Sequence, residues 1–82
     1  MIRNGYGGSM NLSEVKVGGK VTVVQVNGEG ILRRRLLDMG LTPRTKVEVI
    51  KLAPMGDPIE LFLRGYKLTI RKDEAERIEV VE

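Results

Sequence analysis

From Met10 onward, short apolar runs alternate with clusters of Gly, Asn, Asp and Pro, and the spacing inside each run separates helix from strand. Leu12 and Val15 lie three residues apart behind Asn11. Glu14 follows that Asn by three, the arrangement of a capping box, so one helical turn is predicted there. Gly18-Gly19 breaks the run. Val21 to Val26 is β-branched at five of six positions and predicts a strand. Its apolar residues do not alternate, which predicts packing on both sides. After the turn Asn27-Gly28-Glu29-Gly30, the segment Ile31 to Met39 predicts a helix with Leu32, Leu36 and Met39 in one stripe. Arg33 and Arg34 then face away from the stripe, and Leu37 lies about 140° from Leu32, also off it. Arg34 and Asp38 are spaced for an i,i+4 pair. Gly40 stands where a left-handed C′ residue ends a helix, Leu41 supplies the apolar contact that accompanies such an end, and Pro43 blocks continuation.

Thr45 to Leu52 predicts a strand whose apolar phase flips between Val49 and Ile50, the mark of a bulge or sharp bend. Ala53 to Pro58 is a loop containing Pro54, Met55, Gly56, Asp57 and Pro58. Ile59, Leu61 and Leu63 alternate inward, which places Phe62 on the polar face. Arg64-Gly65 is a tight turn, and Tyr66, Leu68 and Ile70 alternate inward again on a returning strand. Lys72 to Arg77 predicts a helical turn capped by Asp73 with Glu76 three residues on, and Ile78 to Val81 a closing strand. Five short strands without βαβ spacing predict a mainly β fold: a small closed barrel over residues 10–82, one helix after its first strand and short helical turns near both ends. Met1 to Ser9, rich in Gly, reads as a disordered tail or an expression scar in front of a natural start at Met10.

Composition narrows the chemistry. In 82 residues there is no Cys and no His. Disulfides, thiol nucleophiles, Ser-His-Asp triads and the usual zinc sites are excluded, and the lack of Cys points to a reducing, cytoplasmic setting. No catalytic residue, metal site or cofactor is expected. Asp73 and Glu74 are explained by the start of a helical turn. The Gly28-Glu29-Gly30 sequence lacks the remaining residues of a phosphate-binding motif. No apolar run is long enough to span a bilayer. The net charge of +3 is uneven: residues 33–51 hold six bases against two acids, and residues 57–82 five bases against seven acids.

Two classes of function survive. The first is docking on a partner protein through off-phase apolar and basic side chains, with Arg33, Arg34, Leu37, Met55 and Phe62 as the candidates. The second is a nucleic-acid-binding barrel using Arg33, Arg34 and neighbouring basic residues. The second is disfavoured, because the three arginines span about 200° of helix and few aromatic rings are available for stacking. Self-association through a strand edge is a further possibility.

The segments R-R-R-L-L-D-M-G-L-T-P at Arg33–Pro43, V-E-V-I at Val47–Ile50, A-P-M-G-D-P at Ala53–Pro58, L-R-G-Y-K-L-T-I-R-K at Leu63–Lys72 and E-A-E-R-I-E-V at Glu74–Val80 together resemble the FeoA family. The opening L-S-E-V-K-V-G at Leu12–Gly18 fits as well. The resemblance implies an SH3-like barrel and an accessory role in bacterial ferrous iron uptake. It also implies a cytoplasmic location, at the inner face of the membrane through a partner. That partner is FeoB, a permease with a cytosolic GTP-binding domain. The family's motif positions fall on Arg35, Leu36, Met39, Gly40, Gly56, Asp57, Pro58, Arg64, Gly65, Tyr66 and Arg71, and on physical grounds most of these read as structural. Arg44 stands where many relatives have Gly, in a turn that would require positive φ.

Overall fold

The computed structural model describes residues 10–82; the tail expected at Met1–Ser9 lies outside the described residues. Six strands form one antiparallel sheet: β1 (Met10–Asn11), β2 (Lys20–Val26), β3 (Lys46–Leu52), β4 (Ile59–Leu63), β5 (Tyr66–Ile70) and β6 (Ile78–Val81). The helix α1 (Gly30–Asp38) joins β2 to β3, and the one-turn α2 (Lys72–Ala75) joins β5 to β6. Short 3-10 turns lie at Leu12–Glu14 and Pro54–Gly56. The strand order is β1-β6-β2-β3-β4-β5. The mainly β architecture with one helix after the first long strand is therefore as expected. Two details are corrected: the two-residue β1 makes the strand count six, and the ladder is an open series with β1 and β5 at its ends.

The inward residues of β2, β3, β4, β5 and β6 meet in one cluster with Leu12, Val15, Leu36, Leu41 and Ala75. Alternation explains most of it. In β4, Ile59, Leu61 and Leu63 are buried while Phe62 is exposed. In β3, Val47 and Val49 are buried, and the predicted phase flip is a register shift between Val49 and Lys51. A second shift, between Val23 and Gln25, corrects the reading of β2. The strand does not pack on both sides: Val21 and Val23 point inward, Val24 is exposed, and the bulge returns Val26 to the core.

Helix α1 covers one end of the sheet. Only Leu36 of its predicted stripe is fully buried; Leu32, Met39 and also Leu37 are partly buried against the core. Full burial of Leu36 contributes about 1.5–3 kcal/mol, much of what holds so short a helix in place. The C-terminal end is closed as expected. Gly40 has φ 105°, its N–H donates to Leu37 O at 3.0 Å, and Leu41 N–H donates to Leu36 O at 3.2 Å. Those two bonds and the buried Leu41 make a complete Schellman motif. The Asn11 capping box is also present: Asn11 Oδ1 accepts from Ser13 N at 3.0 Å, and Glu14 Oε1 accepts from Asn11 N at 2.9 Å. At α2 the expected cap is corrected. Arg71 precedes the turn and Glu74, not Glu76, reaches back, its Oε1 accepting from Arg71 N at 2.8 Å, so Asp73 lies inside the turn.

Candidate functional site

The β4–β5 hairpin shapes the first candidate surface. Arg64 (φ 50°) and Gly65 (φ 87°) form a two-residue turn between the paired residues Leu63 and Tyr66. Both left-handed positions match the twist of such a hairpin. Arg64, as an L-residue in that region, costs about 1–2 kcal/mol of backbone energy. Its side chain offsets the cost: Nη2 donates to Thr42 Oγ1 at 3.1 Å and Thr45 Oγ1 at 2.9 Å. Thr45 is buried, and its hydroxyl lies 2.9 Å from that of Thr42. The hairpin tip is thereby pinned to the turn between α1 and β3. In that turn Arg44 has φ 75°, so the conformation read as requiring Gly is kept with Arg in place.

On the outer face, strand register sets Lys20, Glu48, Phe62 and Lys67 in one cross-strand row, with Thr22 opposite Lys46 in the next. Side chains directly opposite in antiparallel strands share a face and touch. Phe62, 40% exposed, therefore lies in a field of charges. Beside it is a groove of about 450 Å³ lined by Lys20, Thr22, Lys46, Glu48 and Arg64, with Val21, Val47 and Leu63 beneath. Lys67 also pairs with Glu60 at 3.9 Å.

The second surface is the outer side of α1. A depression of about 580 Å³ there is lined by Gly28, Glu29, Gly30, Ile31, Arg33, Arg34, Leu37 and Asp38. Arg33 is not simply turned to solvent; its Nε donates to Val26 O at 3.0 Å and ties the helix to the end of β2. Arg35 pairs with the buried carboxylate of Glu74 and so joins α1 to α2. Two of the three arginines thus hold the fold, while Arg34 is exposed and forms no ion pair among the described residues; the Arg34–Asp38 pair is absent. Leu37, expected off the stripe, packs against the core. The side chain that does project is Ile31, 85% exposed. Sequence reasoning missed it, although an isoleucine outside the Leu32–Leu36–Met39 stripe and next to a glycine was the available signal.

Met55 lies on neither surface. It is 91% exposed with φ 67°, in a loop closed by Ala53 N–H donating to Pro58 O at 3.0 Å. Asp57 anchors that loop to α2, its Oδ1 accepting from Lys72 N at 3.1 Å and lying 3.4 Å from Arg71 Nε. The five candidates therefore separate into three places: Arg33, Arg34 and Leu37 on α1, Phe62 on the sheet, Met55 on the loop. Tyr66 corrects another expectation. Although it follows the inward phase of β5, it is 42% exposed, because it stands at the rim and donates its hydroxyl to Met39 O. Among the described residues no group of three His, Cys, Asp or Glu is placed to hold a metal ion, and no helix is long and apolar enough to cross a membrane.

With this geometry in view, the FeoA domain model matches residues 10–82. The chain belongs to the FeoA family. A FeoA protein from Chlorobium tepidum, solved by NMR, is 47% identical with a TM-score of 0.80, covering 88% of this chain and 69% of its own. The FeoA of Stenotrophomonas maltophilia, crystallised with zinc and described as a prokaryotic SH3 domain protein, is 25% identical with a TM-score of 0.76, covering 87% of this chain and 88% of its own. The SH3-like architecture of the family is thus the architecture of this chain. A fusion of Fe(2+) transport protein A with the Fe(2+) transporter FeoB in Porphyromonas gingivalis is 35% identical over 71 residues. The match covers 87% of this chain but only 8% of that fusion.

Proposed function

We propose that this domain is a cytoplasmic accessory of ferrous iron uptake that docks on the cytosolic part of FeoB and modulates its transport or GTPase cycle. The observation that carries this reading is the Porphyromonas gingivalis fusion, in which a related domain and FeoB share one polypeptide. The surface supports it: exposed Phe62 is ringed by charged side chains, the anatomy of a small interface. Modulation requires only that the domain bind one state of the permease better than another, which shifts the population toward that state. The nucleic-acid reading has lost much of its basis, because Arg33 and Arg35 are engaged within the fold.

The test measures binding to FeoB from the same genome, reconstituted in nanodiscs, and GTP turnover across a titration of this protein. Saturable binding with altered turnover is the expected result. Binding with unchanged turnover removes the modulation and leaves docking. No binding overturns the proposal.

A further inference from the structure

Of the exposed apolar side chains, Phe62 and Ile31 border the two depressions, and the groove beside Phe62 carries more chemical information than the depression on α1. We infer that the groove on the outer face of β2, β3 and β4 receives a short acidic segment of the partner, one that also presents an apolar side chain to Phe62; this rests on the FeoB reading above. Three observations converge. Three cations, Lys20, Lys46 and Arg64, line the groove against one carboxylate, Glu48, and the exposed ring of Phe62 is its apolar wall. Its volume of about 450 Å³ suits a few side chains, not the flat face of a domain. Arg64 is held in place before any ligand arrives, by Thr42 and Thr45, so little side-chain entropy is lost when it meets a carboxylate. Its fork geometry suits that group.

The position of Glu48 separates a peptide from a continuous polyanion. Glu48 lies between Lys20 and Phe62 in the cross-strand row. A nucleic acid crossing the face would bring phosphate over this carboxylate, whereas a peptide can place its acids over Lys46 and Arg64 and an apolar residue over the ring. A stacking track for bases would need successive rings. Tyr66, the other aromatic residue among those described, spends its hydroxyl on the end of α1.

The experiment titrates the full chain against FeoB in nanodiscs and, in parallel, against empty nanodiscs of the same lipid and a single-stranded oligonucleotide. Phe62→Ala, Lys46→Glu and Lys46→Gln are compared with Ile31→Asp on the helix, each checked for an unchanged amide NMR spectrum away from the substitution. Phe62→Ala and Lys46→Glu are expected to weaken binding by about tenfold or more, Lys46→Gln by less, and Ile31→Asp by under about twofold. Affinity is also expected to fall with salt. If Phe62→Ala weakens binding and Lys46→Glu does not, the segment is not acidic and the inference fails. If Ile31→Asp abolishes binding while the groove variants retain it, the inference fails and docking on FeoB stands. Binding to empty nanodiscs or to the oligonucleotide that needs Phe62 and Lys46 also overturns it. A wild-type protein that binds nothing removes the FeoB reading itself.

Discussion

At its N-terminal end α1 is entered through Gly28 and Gly30, both at positive φ, and opens onto the exposed Ile31. At its C-terminal end the same helix closes on Gly40, also at positive φ, but there Leu41 is buried and the Tyr66 hydroxyl reaches Met39 O. Both ends rely on glycine for backbone freedom. They differ in what surrounds the glycine. A Cβ on Gly30 would meet nothing within 4 Å, whereas one on Gly40 would collide with Tyr66 Oη and approach Leu63 Cδ1 at 3.5 Å. One end is anchored to the hairpin that carries Phe62 and Arg64; the other is tied to β2 through Arg33 but leaves Ile31 in solvent. A surface built off the hairpin therefore inherits the rigidity of the core, which suits a preformed groove better than the open end of a nine-residue helix does.

The largest effect is expected at the anchored end. Gly40→Ala combines left-handed strain with displacement of Tyr66 and is expected to destabilise by about 2–4 kcal/mol, read from urea unfolding. Gly30→Ala carries the backbone term alone, about 1–2 kcal/mol. If the two variants lose equal stability, the collision contributes nothing and the contrast between the ends is wrong. Tyr66→Phe is expected to cost about 1 kcal/mol through loss of the hydroxyl's bond to Met39 O. In the Tyr66→Phe background Gly40→Ala should cost less than in wild type, because the atom it strikes is gone; additive costs would break the assignment.

How much of this was legible beforehand follows from the range of each interaction. Local signals read well. The Asn11 box, the Arg64-Gly65 turn, the end at Gly40 and the bulge after Val49 each depend on residues within a few positions of one another. The features that were misread depend on tertiary contacts. Periodicity placed three residues of α1 in a buried stripe, but a helix lying across one end of a small sheet presses a single residue, Leu36, fully into the core and lets Leu37 share the edge. Alternation placed Tyr66 inward, and nothing in the pattern could show that β5 begins at the rim. Glu74 rather than Glu76 caps α2 by accepting locally from Arg71 N, and the tertiary partner Arg35, 39 positions away, holds the same carboxylate. The groove was invisible for the same reason: Lys20, Lys46, Phe62 and Arg64 come from three strands and a turn, and only the register brings them together.

The smallest expected effect is the one that separates fold from function most cleanly. Ile31 is 85% exposed at the open end of α1, so Ile31→Asp removes almost no buried apolar surface. It also sets a carboxylate in the first turn of the helix, where the dipole favours it by about 0.3–1 kcal/mol. The net change in stability is expected to fall within about 0.5 kcal/mol of zero. A loss well above that would mean the N-terminal end of α1 is as tightly packed as the C-terminal end, and the distinction between an anchored and an open end would not hold. If stability is unchanged, the same variant reports on docking alone: any effect on partner binding then comes from the helix surface and not from damage to the sheet.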